Sequence, residues 1–118
     1  MSLFDKRTKK EKLWDKARKA IKKNDWDSAI ETFKEILEIN IKDHGVLHRL
    51  AELYEKKGDK SKAIQYYIKA ADYYAKDGFS HKAIAILNQV LALDDSLLDV
   101  KEKIAQLRAN LKGAFLLP

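Results

Sequence analysis

The sequence predicts an all-α protein in which about six helices pack as antiparallel hairpins. Apolar residues recur at spacings of three and four, the period of an α-helix, along most of the 118 residues. Charged residues make up 36% of the chain and hydrophobic residues 46%, a balance typical of solvated helices around a packed core. The chain has only 1 Pro and 4 Gly, so few residues interrupt this pattern.

The first half of the chain divides into three predicted helices with clear boundaries. They span, in order, about residues 8–23, 26–39 and 44–57. Asp25 and Asp43 precede the second and third helices, where a short acceptor side chain satisfies a free backbone N–H group. Gly58 follows the third helix and suits the left-handed conformation that often ends one.

The second half of the chain contains three more. They span about residues 60–76, 80–93 and 97–112. We expect Asp59 and Ser80 to cap the fourth and fifth helices, and Ser96 with Asp99 resembles a capping box for the sixth, which Gly113 should end. The fourth helix is apolar around most of its surface, which predicts that it lies between two neighbours. Connections of about 2–5 residues favour antiparallel packing of successive helices.

A short pattern recurs in three of these helices. In each copy a chain-breaking residue stands five positions before an alanine, which is followed by isoleucine and then by a large apolar residue. The three pairs of breaker and alanine are Asn24 with Ala29, Gly58 with Ala63, and Gly78 with Ala83. Alanine at these positions has a physical reason, because two helices that cross closely leave no room for a larger side chain.

This pattern resembles the tetratricopeptide repeat, a pair of helices that recurs every 34 residues. Ala63 follows Ala29 by 34 residues, but Ala83 follows Ala63 by only 20. We therefore expect the fourth helix to serve two repeats. The resemblance implies one domain over 1–118, a short right-handed superhelix. Its predicted parts are repeats at about 10–43 and 44–77, a compressed third repeat to about 95, a capping helix at about 97–112 and a tail at 113–118.

The resemblance also implies a function: a non-catalytic adaptor or scaffold that binds a peptide or a protein face. Members of the family generally bind in the concave groove lined by the first helix of each pair. Carried onto this sequence, that groove contains ten residues: Trp14, Arg18, Lys22, His48, Arg49, Glu52, Glu55, Gln65, Lys69 and Asp72. For Trp14, packing in the core against Phe4 or Trp26 is the alternative to a role in binding.

One subgroup of the family holds a C-terminal carboxylate with Lys, Asn, Asn, Lys and Arg. The corresponding positions here are Trp14, Arg18, Arg49, Gln65 and Lys69, and none is identical. This excludes tail binding of that type. Three of the five are still cationic, so an acidic peptide or acidic protein face is one interpretation of this surface, and an ordinary solvated surface is the other.

The net charge of +6 is concentrated at the N-terminus. The first 24 residues carry ten basic and three acidic side chains, whereas the remaining 94 are close to neutral. Three interpretations of this basic helix remain open. It is a solvated outer face, it binds an acidic protein partner, or it binds nucleic acid, another polyanion or an anionic membrane. The solvated face is the most favoured, and binding of a polyanion or a membrane is the least favoured. The tail, which includes Phe115–Leu117, is apolar. It indicates either that the chain is part of a longer protein, as tetratricopeptide segments of bacterial polypeptides often are, or that the tail docks on its own module or on a neighbouring one, which would give weak homo-oligomers.

Nothing in the sequence indicates an enzyme. The chain has 0 Cys, no Gly-rich phosphate loop and no arrangement typical of nucleophilic catalysis, so we expect no cofactor. His44, His48 and Glu52 share a helix face but lack a fourth ligand, and we expect no metal site there. No apolar run approaches the ~20 residues of a membrane span, and the N-terminus lacks a signal-peptide core, so a cytoplasmic location is expected.

Overall fold

The computed structural model describes residues 7–116, with side chains up to 113. This part of the chain contains six α-helices. They are α1 (Lys9–Lys22), α2 (Trp26–Ile39), α3 (His44–Lys57), α4 (Lys60–Lys76), α5 (Ser80–Leu93) and α6 (Leu98–Leu116). Each helix packs against the next one along the chain. The fold is therefore all-α, with six helices packed as adjacent hairpins in a stack of the tetratricopeptide type, as predicted.

Three aspartates cap helices as the sequence predicts. Each carboxylate accepts a hydrogen bond from the backbone N–H three residues further on, at 3.1–3.2 Å. The pairs are Asp25 with Ser28, Asp43 with Val46, and Asp59 with Lys62. The predicted left-handed end of α3 is confirmed too, because Gly58 has φ of +92°. These boundaries depend on a few neighbouring residues, which is why they can be predicted from the sequence.

The two predicted serine caps are wrong. Phe79 occupies the cap position of α5, without a side-chain hydrogen bond to the helix. The Ser96 hydroxyl donates to Asp94 Oδ1 at 2.6 Å, and the Ser96 backbone N–H donates to the same oxygen at 3.0 Å. Asp94 thus organises the turn before α6 because its carboxylate is the stronger acceptor for the free donors.

Helix α6 runs further than predicted. It does not end at residue 112 but continues through Gly113 to Leu116. A glycine inside a helix costs only about 1 kcal/mol relative to alanine, which does not by itself end the helix. The predicted tail 113–118 is thus partly helical. The side chains of Phe115–Leu117, on which the self-assembly hypothesis depends, lie outside the described residues.

Small residues stand where the helices pack most closely. Ala29, Ala63 and Ala83, the alanines of the recurring pattern, are all fully buried. Helix α4 packs against α3 on one side and α5 on the other, as its broad apolar surface predicts. Among the described helices, none combines the length and the hydropathy of a membrane-spanning segment.

The helices form three hairpins of similar length, α1–α2, α3–α4 and α5–α6. Their first helices begin at Lys9, His44 and Ser80, which are 35 and 36 residues apart. The hairpins therefore recur almost regularly, without a helix that serves two repeats. The predicted limits of the individual repeats stay a prediction. What matters for a binding site is that α1, α3 and α5 each open a hairpin.

Candidate functional site

A groove of about 450 Å³ opens where α1, α3 and α5 come together. Helix α1 contributes one aromatic side chain, α3 most of the polar ones, α5 a lysine and the end of α4 a tyrosine. The lining residues are Trp14, Gly45, His48, Arg49, Glu52, Tyr74 and Lys82. Four of the residues predicted for the binding face, namely Trp14, His48, Arg49 and Glu52, therefore line one groove.

Trp14 belongs partly to the core and partly to this groove. Its ring packs edge to face against Phe33, with ring centroids 4.9 Å apart and an interplanar angle of 80°. Phe33 is therefore the packing partner, not Trp26, whose ring is covered by the Lys56 ammonium at 5.0 Å. The reason is the antiparallel hairpin, in which the middle of α1 faces the middle of α2, whereas Trp26 begins α2. Phe4 lies outside the described residues.

Aromatic rings surround His48 at the floor of the groove. Its imidazole lies 5.7 Å from the Tyr67 ring and 6.4 Å from the Tyr74 ring, between centroids. Burial lowers the pKa of His48, and the positive charges of Lys82 and Arg49 act in the same direction, although Glu52 opposes them. We conclude that His48 is neutral at pH 7, so the floor presents uncharged rings beneath a charged rim.

The charges at the rim are only loosely neutralised. Arg49 Nη1 lies 3.7 Å from Glu52 Oε1, and both side chains are well exposed, an arrangement that contributes little energy. Lys82 adds a second cation from α5. Arg18, one turn along α1 from Trp14, is paired with Asp15, and its guanidinium lowers the pKa of that carboxyl group. Arg49 and Lys82 are thus the cations best placed to meet a ligand.

The structure separates the three α4 residues from this groove. Gln65 lies beside Asp94 and the turn before α6. The Lys69 ammonium lies over the Tyr66 ring, 5.3 Å from its centroid. Asp72 pairs with Lys103 of α6, at 3.2 Å between Nζ and Oδ1. The physical reason is that α4 is the second helix of its hairpin, so its exposed side faces α6 and not the first helices.

The three remaining predicted residues also lie outside the lining. Arg18 is paired with Asp15. Lys22 is exposed at the last turn of α1. Glu55 accepts a hydrogen bond from the Tyr67 hydroxyl, with 2.8 Å between the oxygens. Burial, together with this bond, raises the pKa of Tyr67. Glu55 thus has a structural role between α3 and α4.

The sequence interpretation missed three lining residues, Gly45, Tyr74 and Lys82. The 20-residue step between Ala63 and Ala83 had suggested that α4, and not α5, was the next first helix. The spacing of the helix starts, 35 and 36 residues, is the signal that could have identified α5. Tyr74 reaches the groove only because the last turn of α4 ends beside His44, on which it stacks at 4.0 Å.

The two histidines of α3 share Tyr74 as an aromatic neighbour but differ in their polar surroundings. His44 stacks on that ring, and its Nε2 lies 3.3 Å from Asp77 Oδ2, in the turn between α4 and α5. His48 lies beside the rings of both Tyr67 and Tyr74. Over the range that the structure describes, no group of three or more His, Cys, Asp or Glu side chains could hold a metal ion.

The three stacked hairpins and their groove define a helical repeat module of the tetratricopeptide type. Residues 3–111 match the model of the family described as soluble NSF attachment protein, SNAP, and the chain belongs to this family. No curated protein matches the sequence.

Several solved structures are similar. The MamA protein is 20% identical with a TM-score of 0.46, over 86% of this chain and 63% of MamA. The first TPR domain of Spaghetti (RPAP3), bound to an HSP90 peptide, is 14% identical with a TM-score of 0.47, over 88% and 96%. The Yersinia enterocolitica chaperone SycD, in complex with a YopD peptide, is 18% identical with a TM-score of 0.47, over 90% and 92%. This chain spans less than two thirds of MamA. At these TM-scores the similarities carry no argument about a ligand.

Proposed function

We propose that this chain is a non-catalytic adaptor or scaffold module that binds an acidic peptide, or the acidic face of a protein, in the groove between α1, α3 and α5. One observation carries the proposal. Trp14, Arg49 and Lys82 come from three different helices and meet around one open groove. An aromatic ring and cations in such an arrangement are typical of surfaces that bind other proteins.

The physical properties of the groove support an acidic ligand. The half-buried Trp14 ring offers contact area at little entropic cost, since Phe33 already holds it in place. Arg49 is held only loosely by Glu52, so a carboxylate of the ligand can replace that contact. Glu52 is the only acidic side chain of the lining, against the two cations Arg49 and Lys82.

The family provides independent support for a role in binding. The family is that of the soluble NSF attachment protein, and attachment is a protein-binding role, not a catalytic one.

The experiment compares two charge-reversed variants that have the same net charge. Arg49→Glu with Lys82→Glu alters the groove, and Lys16→Glu with Lys19→Glu alters exposed lysines on α1. The wild-type chain and the two variants are each immobilised, and the partner proteins that each captures are quantified. Circular dichroism confirms that the three have equal helicity. We expect partners of the wild-type chain to be lost from the groove variant and kept by the α1 variant. Equal recovery by all three proteins would contradict the proposal.

A second function is favoured by the basic face of α1. Lys9, Lys16, Lys19 and Lys23 are exposed and recur at helical spacing, which is the arrangement of a polyanion-binding helix. This hypothesis predicts a nucleic-acid mobility shift at low salt that disappears as salt rises, because bound cations release counterions. The Lys16→Glu, Lys19→Glu variant should abolish it. Absence of any shift for the wild-type chain at low salt would exclude this alternative.

A further inference from the structure

The outer side of the last hairpin carries a second groove, larger than the first. It lies between α5 and α6 and has a volume of about 830 Å³. The residues that line it are His81, Ile84, Ala105, Arg108, Ala109, Leu111 and Lys112. None of them belongs to the groove proposed above, which opens on the other side of α5.

The fold itself shows what kind of element fits this position. On the first hairpin the corresponding side is covered by α3, which packs against α2, and on the second by α5, which packs against α4. The junction between α2 and α3 also carries an ion pair, Lys57 with Asp27. Beside α5 and α6, no helix of the described residues occupies the equivalent place. An α-helix is therefore the shape that the stack accepts there.

The groove is lined at its base by apolar side chains, two of which are small. Ile84 is buried at the base, and Leu111 is half-buried beside it. Ala105 and Ala109 lie one turn apart on α6, and only glycine has a smaller side chain than alanine. A neighbouring helix can approach closely over such residues and bury an apolar stripe.

The rim of the groove has charge of one sign. Arg108 and Lys112 are exposed on this side of α6, and neither forms an ion pair with any side chain described in the structure. Helix α5 contributes His81 and no carboxylate. The acidic residues of α6, Asp99 and Glu102, line a different groove on the α4 side. An element that docks here therefore meets two unmatched cations.

We propose that the α5–α6 groove binds an amphipathic helix of a partner protein, with acidic residues beside its apolar stripe. The helices α3 and α5, which fill the equivalent places, have 14 residues, so a segment of about 14 residues and ~20 Å matches the groove. A second copy of this chain fits less well. The other end of the stack is formed by α1, which carries several lysines. If that end docked on the α5–α6 groove, these lysines would meet the cations Arg108 and Lys112.

The test uses two labelled peptides of that length with the same leucine stripe, one flanked by glutamates and the other by lysines. Fluorescence anisotropy measures their binding to the wild-type chain and to Arg108→Glu with Lys112→Glu. We expect the wild-type chain to bind the glutamate peptide, and the variant to bind it about tenfold more weakly and to gain affinity for the lysine peptide. The gain by the variant shows that it is folded.

A matched control separates this groove from general electrostatic attraction, and a second background separates it from the first groove. Lys42→Glu with Lys101→Glu has the same net charge as the groove variant, and both lysines are exposed and line neither groove. This control should bind the glutamate peptide within about twofold of the wild-type chain. In a chain that already carries Arg49→Glu and Lys82→Glu, the Arg108→Glu and Lys112→Glu changes should still weaken binding about tenfold. Equal weakening by the control, no further weakening in that background, or no binding by the wild-type chain would overturn the proposal. Sedimentation that shows a dimer disrupted only by the Arg108 and Lys112 changes would overturn it in favour of a second copy.

Discussion

Replacing Tyr67 with phenylalanine tests how α3 and α4 are held together. The Tyr67 ring is 2% exposed, and its hydroxyl donates to Glu55 Oε1 at 2.8 Å. Phenylalanine keeps the ring and removes only this hydrogen bond. A hydrogen bond to a charged group contributes about 1.5–3 kcal/mol. Because Glu55 is exposed and regains water when the hydroxyl is removed, we expect a loss of about 1 kcal/mol, below that range.

Urea denaturation followed by circular dichroism measures this loss. The same measurement on Glu55→Ala, which removes the acceptor, and on the double variant gives the coupling energy, which should also be about 1 kcal/mol. Tyr66→Phe is the matched control, because the neighbouring Tyr66 ring stacks on Tyr54 and its hydroxyl has no hydrogen bond among the described side chains. A Tyr67→Phe variant as stable as the wild-type chain, or a coupling energy of zero, would refute the assigned bond.

Three further predictions concern pH, packing and backbone conformation. Burial lowers the pKa of His48, so the unfolded chain binds more protons than the folded one below about pH 6.5, and the free energy of unfolding should fall between pH 7 and 5. His48→Gln should flatten that fall in urea midpoints measured at both pH values, and an unchanged slope would contradict it. Ala63→Leu should destabilise the chain by about 1–3 kcal/mol, because Ala63 is fully buried, whereas leucine at the exposed Ala85 should change stability by less than about 0.5 kcal/mol in the same urea assay. Gly58→Ala should cost about 1 kcal/mol because φ is +92°, whereas Gly113→Ala, inside α6 with open space where the added Cβ would lie, should stabilise by about 0.5–1 kcal/mol. Thermal melts that show the same sign for both variants would be inconsistent with the two conformations.

The sequence predicted the helices well because their limits are local. Asp25, Asp43 and Asp59 each cap a helix through a backbone group three residues away, so the signal lies within a few residues. The prediction failed where two local signals compete. Ser96 has the spacing of a cap, but Asp94 is a better acceptor for the same turn.

The groove was harder to predict because it depends on which helices share a side of the stack. A buried alanine such as Ala63 or Ala83 marks a close helix crossing on either helix of a hairpin, so the pattern cannot distinguish first helices from second ones. That ambiguity brought Gln65, Lys69 and Asp72 into the predicted site. Lys82, in contrast, enters the groove through the packing of α5 on α4, which no short-range pattern records.

The distribution of charge explains why both proposed sites favour an acidic partner, although the chain is nearly neutral beyond residue 24. Most of its aspartates have structural roles. Asp25, Asp43 and Asp59 cap helices, and Asp43 also pairs with Lys10. Three more, Asp15, Asp27 and Asp72, pair with arginine or lysine. Asp77 contacts His44, and Asp94 holds a turn. Lysine and arginine have fewer structural roles of this kind, because long cationic side chains neither cap the N-termini of helices nor stabilise turns. The two grooves, with Arg49 and Lys82 in one and Arg108 and Lys112 in the other, are therefore more basic than the nearly neutral charge of residues 25–118 indicates.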